Sequence, residues 1–197
     1  MAAQLMYPVL IAACAGVVTA SAHLSSLMAL DTSQVWAGQW WRILTGHLAH
    51  LTWRQYAVDA PVFIGLYSVY RNKSGAVSAL VLSLFAAATV SLAVMAAGLH
   101  QVYGGLSGVS CAAVTAILCS MMYERPRQVF PYLMSAMFCC YLLFMGGIAG
   151  GVEVAQEGHL AGAASGIIFA NCEIWLRRLN VQGPNLVGAN GGGVREG

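Results

Sequence analysis

Six long apolar stretches, separated by short polar segments, set the pattern of this chain: residues 5–24, 49–70, 75–99, 105–123, 129–150 and 158–175. A hydrocarbon core of about 30 Å takes about 20 helical residues, so each stretch has the length of one crossing. Lipid offers no partners to backbone polar groups, and helices satisfy their own. The pattern therefore predicts an all-α polytopic membrane protein, a bundle of six transmembrane helices. Residues 1–178 form the membrane domain, and 179–197, rich in Gly and Asn, a disordered cytoplasmic tail.

The stretches are not alike. The third carries no charge and reads as scaffold. The fifth has no ionisable groups beyond its cysteines and tyrosines. The second contains His50, Arg54, Gln55, Asp59 and Pro61. Ionisable groups inside a membrane are costly and face a cavity or a partner, so this span lines something polar. Pro61 lacks an amide donor and frees the carbonyl of Ala57, which predicts a local kink.

Composition agrees with the pattern. The 197 residues are 59% apolar and 8% charged, and the mean hydropathy is +0.71; soluble domains carry roughly a quarter charged residues. A net charge of +2 gives no footprint for nucleic acid. The six cysteines lie in apolar runs without metal-ligand spacing and read as small buried residues. Neither metal nor cofactor is expected. No basic residue precedes the first apolar run, which is expected to be a retained span and not a cleaved signal peptide.

Charge also orients the bundle. Arg71, Lys73, Arg125, Arg127, Arg177, Arg178 and Arg195, seven of the nine basic residues, follow the even-numbered spans. The positive-inside rule makes that side cytoplasmic, with both termini on it. The opposite side carries the 31–46 loop, the 100–104 turn and the loop with Glu153 and Glu157. The first of these holds Trp36, Trp40 and Trp41. Tryptophans anchor at the interface; a partly embedded loop beside an active site is the other reading.

The candidate chemistry sits at the outer ends of three spans. Gly104, Gly105 and Gly108 surround Ser107 with residues that lack bulk. Gly108, Ala112 and Ala116 repeat every fourth residue on the fourth span. His159, Ala163, Gly166 and Ala170 share one face of the sixth, with Gly162 beside them. Two such faces pack backbone to backbone, which brings a serine on one helix within reach of a histidine on the other. At 1.5 Å per residue, Ser107 lies roughly 24 Å above Tyr123, His159 roughly 27 Å above Arg177 and Gln55 roughly 24 Å above Arg71. Asp59 is about one turn deeper. A neutral imidazole activates a serine hydroxyl by accepting its proton, and the backbone N–H of Ser107 at a helix start suits an oxyanion. Ser110 and Ser165 read as packing, and Tyr103 either walls the site or sits at the interface.

Gly105-Leu106-Ser107-Gly108, His159-Leu160-Ala161-Gly162 and the Trp41-Arg42 pair resemble, in order and spacing, the motifs of the rhomboid intramembrane serine proteases, from about Trp36 to Ala170. The resemblance implies a six-helix rhomboid-like bundle, with Ser107 as nucleophile and His159 as base. The entry to the second span, Leu44-Thr45-Gly46-His47-Leu48-Ala49-His50-Leu51, is similar to the rhombosortase branch. That branch implies a bacterial inner-membrane enzyme and, as partner, a membrane protein with a C-terminal hydrophobic anchor behind a Gly-Gly-type sorting signal. The family places a His and an Asn, four apart, beside the oxyanion; here these positions are Gln55 and Asp59. Gln55 can donate, whereas an ionised Asp59 only accepts. Asp59 either stays neutral and donates, or orients His159 as an anion. His50 either compensates or holds the loop. Two other functions remain open: a silent rhomboid-like binder of transmembrane helices, and a small transporter using Arg54, Gln55 and Asp59. No second copy of that polar pattern supports an inverted-repeat transporter.

Overall fold

A computed structural model describes residues 2–144, 148–149, 152–153 and 155–182. Nine helices run along the described chain. Helix α1 (Ala2–Ala20) is followed by α2 (Ala22–Met28) at a bend of 115°. Helix α3 (Thr32–Trp36), α4 (Arg42–Thr45) and a 3₁₀ turn (Gly46–Leu48) build the first loop. The long helices are α5 (Trp53–Ser74), α6 (Ala76–Ala97), α7 (Ser107–Glu124), α8 (Val129–Phe144) and α9 (Gln156–Gln182). Two small antiparallel pairs complete the fold. β1 (Leu30–Asp31) pairs with β2 (Val102–Tyr103), and β3 (Ile148–Ala149) with β4 (Val152–Glu153).

Local chemistry accounts for the boundaries. The first apolar stretch was expected to run unbroken through Leu24, but Ser21 is extended and its side chain caps α2 at Leu24 N–H. Asp31 caps α3, accepting from Ser33 and Gln34 N–H, and the Ser33 hydroxyl with these amides holds its carboxyl below the usual range. Thr52 caps α5 at Gln55 N–H, 3.1 Å away. Gly98, at φ +64°, ends α6 in the left-handed conformation.

The core is built from small residues. Helix α7 packs most extensively on α9, then on α5 and α6. A Cβ on Gly162 would meet the backbone of Gly108, and one on Gly166 the carbonyl of Ala112 and the Thr115 hydroxyl. The two predicted small-residue faces, Gly108 and Ala112 against Gly162 and Gly166, thus meet at backbone contact. Thr115 Oγ1 donates across to Ala163 C=O at 2.9 Å. Beside this seam Phe63, Tyr67, Tyr70, Leu82 and Ala86 form the main apolar cluster.

By length and composition, two described helices, α6 and α7, suffice to cross a membrane, and a third if α1 and α2 count as one bent span. Helices α5 and α9 are long enough but carry Arg54, Asp59, Glu157 and Glu173, and α8 has only 16 residues. Helix α9 also continues through Gln182, past the expected end of the domain at 178; Glu173 pairs with Arg177 one turn on, at 3.2 Å. The rest of the expected tail, 183–197, lies outside the described residues. Of the cysteines only Cys111 is buried; Cys14, Cys139, Cys140 and Cys172 are exposed on the apolar exterior.

Candidate active site

Ser107 is the first residue of α7, and His159 stands in the first turn of α9. His159 Nε2 lies 2.8 Å from Ser107 Oγ. Donation by the hydroxyl leaves Nε2 unprotonated and the proton on Nδ1. The backbone-to-backbone seam below explains the approach: Gly108 and Gly162, adjoining the pair, remove the side chains that would hold the helices apart. The first intrahelical bond of α7 in this turn runs from Ser110 N–H to Leu106 C=O, so the Ser107 amide precedes the ladder at the helix mouth.

The turn before Ser107 is clamped from two sides. Gln55 Nε2 donates to Gly104 C=O at 2.8 Å, and Gln55 Oε1 accepts from Leu51 N–H at 3.0 Å. His47 faces Gly105 C=O through Nδ1 at 3.3 Å; its Nε2 faces Ala87 C=O at 2.9 Å and Ser91 Oγ at 3.1 Å. Gly105 has φ +125°, and a Cβ there would meet Gln55 Nε2 and stand 3.0 Å from Asp59 Oδ2. Only glycine combines that backbone with that approach.

Asp59 is buried and sits 3.4 Å from His50 Nε2, while His50 Nδ1 lies 3.4 Å from Thr19 Oγ1. Among the described residues no hydrogen bond joins Asp59 to His159. His50 therefore belongs to the junction of the first loop, α1 and α5. The Gln55 amide, expected to donate, gives one N–H to the glycine turn. Arg42 is buried too, donating to Ser26 C=O at 2.8 Å, Ala29 C=O at 2.6 Å and Gln39 Oε1 at 2.8 Å. It folds the first loop around itself and leaves Trp36, Trp40 and Trp41 exposed.

The sequence assigns no role to His47 or Glu157 and leaves two open for Tyr103. His47 appeared only as part of the entry to the second span; a histidine three residues before His50 was the signal. Tyr103 is buried, with its ring beside Gly108 and Gly158. Glu157 pairs with His100 at 3.3 Å, and nothing in the local sequence joins those two.

The rhomboid domain family model matches residues 37–175, well over half of the chain. The chain belongs to the rhomboid family, a family of intramembrane serine proteases, and is an integral membrane protein. No curated protein matches it.

Proposed function

We propose that this chain is an active intramembrane serine endopeptidase, with Ser107 as nucleophile and His159 as general base. The observation that carries the reading is the 2.8 Å approach of Ser107 Oγ to His159 Nε2. Ser107 Oγ attacks the scissile carbonyl while its proton passes to His159 Nε2, and the carbonyl electron pair moves onto oxygen. The Ser107 amide at the mouth of α7 receives that oxyanion. His159 then returns the proton to the departing amine, and water releases the acyl chain by the same route.

The substrate is a membrane protein with a C-terminal hydrophobic anchor, cut near the outer face at a Gly-Gly-type signal, as the rhombosortase-like entry to α5 implies. The bundle crosses a bacterial inner membrane six times with both termini cytoplasmic. Supporting this, Gln55 and Asp59 of α5 and His159 of α9 gather around Ser107 and the turn before it, while Glu173 at the far end of α9 is held by Tyr70, Ser74 and Ser78. Scission toward the outer end follows from the depth of Ser107 and His159. Glycines at the cut ease local unwinding by about 1 kcal/mol each relative to alanine. A serine-reactive fluorophosphonate probe tests the central claim: the native chain labels and Ser107→Ala does not. Equal labelling of both refutes the assignment.

A further inference from the structure

Tyr103 ends β2, where its backbone pairs with Leu30 and its position is fixed by the first loop. Its ring is buried among Leu30, Val35, Val90 and Val94 and meets the His47 ring edge-on, with centroids 5.7 Å apart at 72°. From there the phenol reaches between α7 and α9. A Cβ on Gly108 would stand 3.1 Å from the Tyr103 hydroxyl, and one on Gly158 would stand 3.5 Å from its Cε2. Gly108 follows Ser107 and Gly158 precedes His159. The residues adjoining both members of the pair are therefore bare where the same ring passes.

The hydroxyl itself is buried and has no hydrogen-bond partner among the described residues. A buried orphan polar group costs stability, and phenylalanine would fill the same space without that cost. The hydroxyl lies close enough to the Ser107 side chain to interact with it, yet makes no hydrogen bond in this resting arrangement. Hydrogen bonds that serve a reaction are often long before substrate arrives.

We propose that Tyr103 is a positioning residue for the Ser107–His159 pair, its ring setting the spacing of α7 and α9 and its hydroxyl donating to Ser107 Oγ as that oxygen loses its proton. The inference rests on the protease reading. In the step concerned, the Ser107 proton moves to His159 Nε2, the new bond forms between Oγ and the carbonyl carbon, and Tyr103 keeps its proton throughout. The same donor assists when Oγ departs from the acyl carbon in the second half of the reaction. A donor that meets charge as it develops acts on the rate and leaves substrate binding alone.

Tyr103→Phe keeps the ring and removes only the donor. The full-length variant in detergent is compared with the native chain for fluorophosphonate labelling rate, for kcat and KM on a transmembrane substrate, and for thermal unfolding, with Ser107→Ala as the blank. Labelling rate and kcat should fall about tenfold to a hundredfold, with KM within about twofold and the unfolding temperature unchanged or higher. Labelling and turnover at the native rate overturn the proposal. So does a loss of rate that comes with a clearly lower unfolding temperature, because the hydroxyl would then be holding the fold and not serving Ser107. A native chain that labels no better than Ser107→Ala refutes the protease reading and takes this inference with it.

Discussion

Gly162→Ala tests whether the small-residue seam sets the geometry of the site. The new Cβ would stand 2.8 Å from the Gly108 carbonyl carbon and closer still to its oxygen. Carbon pairs are comfortable at about 3.5–4.0 Å, so α7 and α9 must part by about 1 Å. Rotating away offers no relief, because Cys111 Cβ lies 3.4 Å from the same position. Such overpacking costs about 1–3 kcal/mol. His159 lies one turn above on the same helix and moves with it. A displacement of about 1 Å is worth about a hundredfold in rate, and it breaks the 2.8 Å contact with Ser107. Gly65→Ala is the control: that α5 glycine has nothing within 4 Å of a Cβ, and alanine there should stabilise by up to about 1 kcal/mol. Purified variants are scored by chemical denaturation and by fluorophosphonate labelling rate. Native labelling by Gly162→Ala would refute the claim that this seam holds the pair in register.

Ser107→Ala and His159→Ala should each abolish cleavage while leaving the chain inserted, and the double variant should be little worse than either, since the two act as a unit; gel-based cleavage of a membrane substrate reads this. His47→Leu removes the imidazole from Gly105 C=O and Ala87 C=O, leaving Ser91 Oγ its bond to Ile43 C=O, so denaturation should show a loss of about 1–3 kcal/mol. Asp59→Asn should keep cleavage within about tenfold, roughly 1.4 kcal/mol; a fall of several orders of magnitude would instead mark Asp59 as the anion that orients His159.

The seam and the serine–histidine meeting were legible because both are periodic. Gly108 and Ala112 share one helix face, as do His159 and Gly166, and period alone says that they can meet. Span boundaries were less legible. Ser21 splits the first apolar run by capping, a choice a short polar residue makes against a strongly apolar background. The clamp around Gly104 and Gly105 was not legible, because its parts come from separate elements: Gln55 from α5, His47 from the 3₁₀ turn and Ala87 from α6. Pairings between residues so far apart in sequence leave no local trace. The choice for Tyr103 between wall and interface was open for the same reason, since its placement depends on β1 pairing with β2.

Where the resemblance to rhomboid proteases implies a histidine and an asparagine, this chain has Gln55 and Asp59, and their contacts give that difference a physical reading. Gln55 acts as a strut: its amide bonds Leu51 N–H at one end and Gly104 C=O at the other, tying the start of α5 to the turn before Ser107. Asp59 cannot be a bare anion beside a forming oxyanion without opposing it. A proton held with His50, 3.4 Å away, would remove the conflict. A neutral carboxyl beside a neutral imidazole and a carboxylate beside an imidazolium hold the same number of protons, and in either form the pair presents no net charge to the site. Loss of that one proton would leave a negative charge behind Gly105, whose missing side chain is what lets Asp59 Oδ2 come so near the turn. Asn at position 59 removes both the charge and the proton while keeping the shape, which is why the variant should remain active if the pair serves only to keep this wall of the site neutral.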